Sequence, residues 1–384
     1  MNRAGLYIHI PFCRSRCSYC DFATGAYEEA QAERYVCALL EELRGFDAWA
    51  DVNGVEVREV DTIYFGGGTP SMLKPAQLAR LLDALHERFR VSIGAEVTLE
   101  MNPGALAPQV LREFRRLGVN RASFGLQTFD DGELRRLGRT HTADDARRTL
   151  GDLRAAGFDN ISFDLIAGLP EQTLEAWSRN LDEALALRPQ HLSLYLLEVH
   201  AETPLAEHIR RGMWRAPDAD VAAEMYLLLA RRMREAGYEQ YEISNFCLPG
   251  GESRHNMKYW MGAPVYGFGC SAHSFDGATL RWSNERDMSA YVSHVEAQRS
   301  PVAETTRLDR LTASSEALFL GLRLMTRGVD LSEHRARFQV DVRTEYADDL
   351  QRFDEAGLIE FDGERLRLTP NGALLSNEVF AAFV

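Results

Sequence analysis

The sequence is poor in cysteine, in long apolar runs and in positive charge, and each shortage excludes a class of protein. Six cysteines in 384 residues are too few and too unevenly placed for a disulfide scaffold. No stretch approaches the roughly 20 apolar residues of a transmembrane helix, and residues 1–5 contain no signal-peptide-like apolar run. The formal net charge of −14 argues against broad nucleic-acid binding, which relies on a cationic surface. We therefore expect a cytoplasmic protein with reduced thiols that does not bind nucleic acid.

Short apolar segments alternate with longer amphipathic ones over the first two-thirds of the chain. The predicted strands are rich in Ile, Leu, Phe and Tyr and cover residues 6–10, 62–65, 96–100, 121–126, 160–165 and 191–196. Consecutive strand–helix units predict a parallel α/β sheet, which we expect to curl into a partial (β/α)6 barrel. A flavodoxin-like open sheet would show the same alternation. In either fold, functional groups gather at the carboxyl ends of the strands.

The composition changes twice, which predicts three domains. Residues 1–200 would form the partial barrel, and residues 201–305 an extension with aromatic and glycine-rich loops. Residues 306–384 read as three helices and a hairpin that turns at Asp362-Gly363, a winged-helix-like α+β module. Because this module carries more acidic than basic residues, we expect it to contact protein rather than nucleic acid.

Three cysteines stand close together in the segment "CRSRCSYC", which gives the spacing CxxxCxxC at Cys13, Cys17 and Cys20. Structural zinc usually takes four ligands, often from two CxxC pairs. The remaining cysteines form no second pair; they are Cys37, Cys247 and Cys270. Three thiolates on a short loop can instead hold three irons of a [4Fe–4S] cluster and leave the fourth iron open to another ligand. We therefore predict that these three residues bind such a cluster.

The cysteine loop follows the first strand and "GGGTP" follows the second, an arrangement that resembles the radical S-adenosylmethionine (SAM) superfamily. The segments "LYIHIPFC", "YFGGGTPS", "FGLQTF", "RLGRTH" and "DLIAGLP" are similar to the oxygen-independent coproporphyrinogen dehydrogenases and their relatives, the HemW haem chaperones. The resemblance implies a SAM site. By motif, its residues would be Tyr7, Tyr19, Gly67, Gly68, Thr69, Glu100, Gln127, Arg139 and Asp164.

These residue types suit the expected ligand. Glycines let backbone carbonyls approach the SAM amine, since no side chain stands between them. Glu100 and Asp164 can accept hydrogen bonds from the amine or the ribose, and Arg139 can pair with the SAM carboxylate. Tyr19 would pack on the adenine.

Two sequence features distinguish the chaperone branch from the dehydrogenases. Phe22 stands where the dehydrogenase pattern CxxxCxxCxC has its last cysteine, and the segment before the first strand is short. The chain also contains "RHNMKYW", which reproduces the HNxxYW motif associated with HemW. In that motif His255 offers an imidazole for haem iron, while Tyr259 and Trp260 offer flat faces for a macrocycle. The same motif also fits a packed core loop, and His273 is a second candidate ligand.

The resemblance implies a haem chaperone that delivers its cargo to haem-requiring respiratory or haem-storage proteins. We expect it to meet these clients at the inner face of the membrane, as a monomer or a homodimer. One alternative is a dehydrogenase in which the cluster reduces SAM and the resulting radical oxidises coproporphyrinogen propionates. Another is a structural adaptor in which zinc replaces iron. The sequence leaves open whether the protein is an enzyme, and it assigns no catalytic residue.

Overall fold

Six parallel strands with intervening helices make up the first half of the chain in the computed structural model, which describes residues 3–383. The elements are β1 (Ala4–Ile10), β2 (Phe12–Cys13), β3 (Gly25–Ala26), α1 (Glu29–Asn53), β4 (Val60–Gly67), α2 (Pro75–Arg88), β5 (Val91–Met101), α3 (Pro108–Arg116), β6 (Arg121–Gln127), α4 (Asp131–Arg136), α5 (Ala143–Ala155), β7 (Asn160–Ala167), α6 (Leu174–Leu187) and β8 (His191–Leu196). Every strand predicted from the sequence lies within one of these. The short pair β2 and β3 flanks the loop that contains the cysteines.

The order of the strands distinguishes a barrel from a doubly wound sheet. The neighbours run β1-β4-β5-β6-β7-β8, all parallel and in the order of the chain. A doubly wound sheet would reverse direction at a switch point, and this order contains none. The sheet continues beyond β8 and β1 and does not close on itself. The fold is therefore the predicted α/β partial barrel.

The middle of the chain extends the barrel sheet at both edges. Its elements are α7 (Pro204–Arg210), α8 (Ala219–Glu235), β9 (Glu239–Glu242), β10 (Asn245–Cys247), α9 (Arg254–Trp260), β11 (Val265–Phe268), β12 (His273–Phe275), β13 (Leu280–Asn284), α10 (Met288–Glu296) and β14 (Val302–Arg307). Strands β10 and β9 continue antiparallel from β8, while β11 lies parallel to β1 and leads to antiparallel β12, β13 and β14. These strands share one sheet with the barrel.

Helix α9 covers the amino end of the barrel. The carboxylate of Glu96, near the start of the buried part of β5, accepts hydrogen bonds from the backbone N–H groups of Arg254 (3.2 Å) and His255 (3.1 Å). A carboxylate at this position complements the unpaired N–H groups of the first helical turn. Further along the helix, the Lys258 ammonium donates to the Arg3 carbonyl (3.0 Å). The helix that contains the HNxxYW motif is thus fixed opposite the carboxyl edge of the strands.

The C-terminal segment forms a hairpin preceded by four helices, where three were predicted, and the hairpin turns at Gly363-Glu364, one residue later than predicted. These elements pack around a hydrophobic cluster that also includes Ile243 of the middle segment. It contains α11 (Arg310–Leu322), β15 (Val329–Asp330), α12 (Leu331–Phe338), α13 (Val342–Glu345), α14 (Ala347–Glu355), β16 (Ile359–Asp362), β17 (Arg365–Leu368), α15 (Pro370–Leu374) and α16 (Ser376–Phe380). Arg323 joins this segment to the barrel by an ion pair with the buried Glu242 (3.4 Å). None of the helices between residues 3 and 383 has the length and apolar character needed to cross a bilayer.

Candidate SAM and iron–sulfur site

One cavity of about 580 Å³ opens at the carboxyl edge of the barrel strands. It is where the sequence predicts the functional groups, because parallel strands end at the same edge of their sheet. The cavity is lined by all twelve residues predicted for the cluster and SAM: Tyr7, Cys13, Cys17, Tyr19, Cys20, Gly67, Gly68, Thr69, Glu100, Gln127, Arg139 and Asp164. Residues that are far apart in the chain therefore share one lining.

The cysteine loop crosses the mouth of this cavity. Its three thiols are partly exposed, and the Sγ of Cys13 lies 3.7 Å from the Oγ1 of Thr69. The loop is anchored where the N–H of Ser18 donates to the carbonyl of Leu137 (2.9 Å). The other cysteines lie elsewhere: Cys37 is exposed on α1, while Cys247 and Cys270 are buried in the middle segment.

The three thiols fit a cluster by donor type and number, and all three line the same cavity. Within residues 3–383, no three Cys, His, Asp or Glu side chains are close enough to hold a metal ion as they stand. Burial raises the pKa of the Cys13 and Cys20 thiols, and the neighbouring cysteines raise it further. Iron offsets such an effect because it stabilises the thiolate. Cluster binding would therefore require these thiols to lose their protons.

The glycines of "GGGTP" let the second loop pack closely against the cysteine loop. Gly67 has φ +111°, a conformation that side chains rarely adopt. A Cβ on Gly68 would lie 2.7 Å from the carbonyl oxygen of Phe12, the residue immediately before Cys13. The N–H of Thr69 donates to that same carbonyl (2.8 Å). These glycines thus set the position of the cysteine loop, a role that the sequence interpretation did not include.

Two carboxyl groups lie on the inner wall of the cavity. Glu100 accepts hydrogen bonds from the hydroxyl of Tyr64 (2.6 Å) and from the N–H of Gly67 (3.1 Å). Burial raises the pKa of Glu100 to about 7, and the nearby charge of Asp164 adds to the shift. Burial likewise raises the pKa of Asp164 to about 6. A bound cation would favour the ionised forms, so these groups suit the positive charges of SAM.

Arg139 gives the cavity a positive charge. Its guanidinium donates to the Asn102 side chain (2.9 Å) and to the Tyr19 hydroxyl (2.7 Å). Its buried Nε has no hydrogen-bond partner within residues 3–383. A buried N–H without a partner is costly, and an anionic ligand group would relieve that cost. The site therefore offers carboxyl groups for a cation and a guanidinium for a carboxylate, which is the charge pattern of an amino-acid ligand.

Gln127 occupies strained backbone at the end of β6. Its φ is +74°, and the pairing of β6 with β7 shifts register between Gly125 and Gln127. Such bulges redirect side chains and occur frequently beside active sites. Gly125 leaves room for the result, since a Cβ there would lie 2.6 Å from the Gln127 amide nitrogen and 2.8 Å from Arg139. The bulge thus places the amide of Gln127 in the cavity.

Comparison with known proteins identifies the family. The "Heme chaperone HemW" of Lactococcus lactis is 35% identical over 98% of this chain and 96% of its own length. Its namesake from Bacillus subtilis is 35% identical over 98% of both chains. The Mycobacterium tuberculosis protein of the same name is 37% identical over 98% of this chain and 93% of its own. The chain belongs to the HemW family.

Family models and a solved structure agree with this membership. The Radical SAM superfamily model matches residues 7–184, and the HemN C-terminal domain model matches residues 308–375. Coproporphyrinogen III oxidase (HemN) from Escherichia coli, described as a radical SAM enzyme, superposes with a TM-score of 0.84. It is 24% identical, and the match covers 100% of this chain and 90% of that one. At this identity, the likeness shows a shared fold.

In this HemW-family chain, His255 lies outside the carboxyl-edge cavity, the candidate SAM cavity. Its side chain is 1% exposed, and both ring nitrogens are engaged: Nδ1 is 2.9 Å from the Thr62 hydroxyl and Nε2 is 3.1 Å from the Tyr259 hydroxyl. Burial lowers its pKa to about 3, so the ring is neutral. The ring also stacks with Tyr7 and Tyr64 inside the barrel. Ligation of haem by His255 stays a prediction and would require these hydrogen bonds to break.

The sequence interpretation missed two residues that position the predicted ones. Asn102 donates to the Thr69 hydroxyl (2.9 Å) and accepts from Arg139, which links the second loop to the cationic wall. Tyr64 binds Glu100 from within the barrel. The segment "EMN" at the end of a strand was the available signal for Asn102. Tyr64 gave no signal, because an aromatic residue inside a strand is usually part of the core.

Proposed function

We propose that this protein is a haem chaperone that also holds a [4Fe–4S] cluster and SAM. Near full-length similarity to three proteins named as haem chaperones is the observation that best supports the proposal. The protein would carry haem in the cytoplasm and deliver it to haem-requiring respiratory or haem-storage proteins, with docking at the inner face of the membrane. This role requires a binding site that releases its cargo, rather than one that converts it.

The carboxyl-edge cavity would hold the cluster and SAM. Cys13, Cys17 and Cys20 would ligate three irons, and the methionine end of SAM would chelate the fourth. Glu100 and Asp164 would meet the positive charges of SAM, and Arg139, whose Nε has no hydrogen-bond partner within residues 3–383, would pair with its carboxylate. When bound, a cluster of this type supplies an electron at low potential. The residues named above would bind SAM and orient it beside the cluster.

Phe22 supports a carrier over a dehydrogenase. Its side chain is 61% exposed and lines the cavity mouth, at the position where the dehydrogenase pattern has an additional cysteine. A phenyl ring can neither ligate a metal nor donate a proton. The protein therefore cannot carry out a reaction that needs a thiol at this position. The fold shared with HemN does not favour the dehydrogenase, because one fold supports many functions.

Anaerobic reconstitution followed by two parallel assays tests the proposal. The reconstituted protein should contain about four irons and four sulfides per chain, bind haem, and leave coproporphyrinogen III unchanged in the presence of SAM and a reductant. Steady vinyl-group formation would establish the dehydrogenase and refute the carrier. Zinc in place of iron and sulfide would point to a structural adaptor. Absence of haem binding by the intact reconstituted protein would also refute the proposal.

A further inference from the structure

A second cavity, of about 560 Å³, borders the end of α9 and shares no lining residue with the SAM cavity. This volume falls within the roughly 300–1,000 Å³ typical of small-molecule sites. Its floor is one face of the antiparallel strands β12, β13 and β14. Its walls come from the end of α9 and from α11 of the C-terminal segment. All of its lining residues lie within residues 259–320, so consecutive elements of the chain enclose it.

The strand register determines which side chains form the floor. His273 pairs with Ser283, which pairs with Glu304, while Phe275 pairs with Arg281, which pairs with Thr306. Cross-strand partners in antiparallel sheets, and residues two apart on one strand, point to the same face. All six therefore project from one face, and all six line the cavity.

His273 offers an accessible imidazole in this cavity. The residue is exposed, and its ring has no hydrogen bond or ion pair to the side chains and backbone of residues 3–383. This contrasts with the nearby His255, whose two ring nitrogens are both hydrogen-bonded. A neutral imidazole with a free nitrogen is a common axial ligand of haem iron.

The remaining walls suit a flat, largely apolar ligand. Tyr259 and Trp260 present aromatic rings, and Leu308 and Leu320 add aliphatic surface. Arg281 is the one cation among the lining residues in the described part of the chain, and it pairs with Glu316 at 2.5 Å. A ligand with two carboxylates would compete with Glu316 for this guanidinium and leave its other carboxylate in solvent. Because only one of its carboxylates would be held by Arg281, such a ligand could still be released from the cavity.

The HNxxYW motif builds one wall of this cavity. The Nε2 of His255 lies 3.1 Å from the Tyr259 hydroxyl, and the two rings meet edge to face with centroids 5.3 Å apart. Trp260 is held on α9 by the Arg323 guanidinium, 4.3 Å above its ring. His255 is therefore placed to act as a positioning residue for the aromatic wall.

We infer that this second cavity is the haem-binding site, with His273 as the axial ligand and His255 as the residue that orients Tyr259. The inference rests on the proposed function, since it names the site at which the cargo would bind. It assigns haem to the extension strands and the C-terminal segment, in a cavity with a lining different from that of the SAM cavity. His200, which lies at the SAM cavity mouth, is the rival ligand.

Haem titration of the cluster-containing full chain tests the inference, with ligation read by electron paramagnetic resonance and magnetic circular dichroism. His273→Ala should weaken binding at least about tenfold and abolish the signature of histidine ligation, and added imidazole should restore that signature. Ser283→Trp, which fills the cavity beside an intact His273, should also weaken binding, without rescue by imidazole. His255→Ala should weaken binding while histidine ligation persists.

Two histidine variants serve as comparisons: His200→Ala removes the rival ligand, and His86→Ala removes an exposed imidazole on α2. Both should bind haem as the wild type does. The inference fails if His273→Ala keeps wild-type affinity and ligation, or if His200→Ala or His255→Ala abolishes histidine ligation; in these cases the chaperone proposal stands. If the wild type itself binds no haem, the proposal and the inference fail together.

Discussion

Replacement of Glu100 by Gln tests whether the carboxyl-edge cavity binds SAM through its charges. The carboxylate accepts hydrogen bonds from Tyr64 (2.6 Å) and Gly67 (3.1 Å), and burial raises its pKa to about 7. Gln has nearly the same shape and keeps an acceptor oxygen, but it removes the negative charge. A hydrogen bond to a charged group contributes about 1.5–3 kcal/mol. The dissociation constant for SAM should therefore rise about 10- to 150-fold.

The same group predicts a pH dependence in the wild type. A carboxyl with a pKa of about 7 becomes protonated as the pH falls through 7, so attraction for a cation is lost at low pH. Its ionised fraction falls from about nine-tenths at pH 8 to about one-tenth at pH 6, which weakens SAM binding about tenfold. Asp164, with a pKa of about 6, adds about a further twofold at pH 6. Glu100→Gln should retain only this smaller dependence.

Anaerobic calorimetry at pH 6, 7 and 8, on samples matched for iron content, measures both effects. Glu96→Gln is the matched control: it lies on the same strand but faces α9 at the opposite end of the barrel, where it accepts from Arg254 and His255. We expect wild-type SAM affinity in that variant. A Glu100→Gln protein with wild-type affinity and the full pH dependence would refute the reasoning and show that the SAM pocket has been misplaced.

Three further predictions concern the loops and the HNxxYW motif. Alanine at any of the three loop cysteines should abolish the brown chromophore, whereas the exposed Cys37→Ala should retain it; loss in the Cys37 variant would overturn the ligand assignment. In a urea titration, Gly68→Ala should lower the free energy of unfolding by about 1–3 kcal/mol, because its Cβ would lie 2.7 Å from the Phe12 carbonyl. Gly45→Ala is the control: its Cβ would meet nothing within 4 Å, so this variant should not be destabilised. His255→Ala should leave SAM binding intact, since the side chain lies outside that cavity, and an unchanged haem affinity would remove only its proposed positioning role.

Local sequence patterns predicted the strands and several of the residues that line the carboxyl-edge cavity. Short apolar segments bounded by Gly, Pro and Asn lie where the six strands form, because burial on both faces of a parallel sheet requires apolar runs. Residues at the strand ends, such as Glu100 and Asp164, then share one cavity because parallel strands end at one edge. The spacing of the three cysteines is equally local. For these features, position in the chain was enough to predict position in the fold.

Contacts between distant segments decided the rest. The sequence could not show that His255 is enclosed, since Thr62, which binds its Nδ1, lies on a barrel strand far away in the chain. Nor could it show that β11 pairs beside β1 and brings β12 to β14 into the barrel sheet. His273 meets Trp260 in one cavity only because these pairings form. Strand pairing depends on hydrogen bonds between backbones far apart in sequence, and no local periodicity specifies the partner.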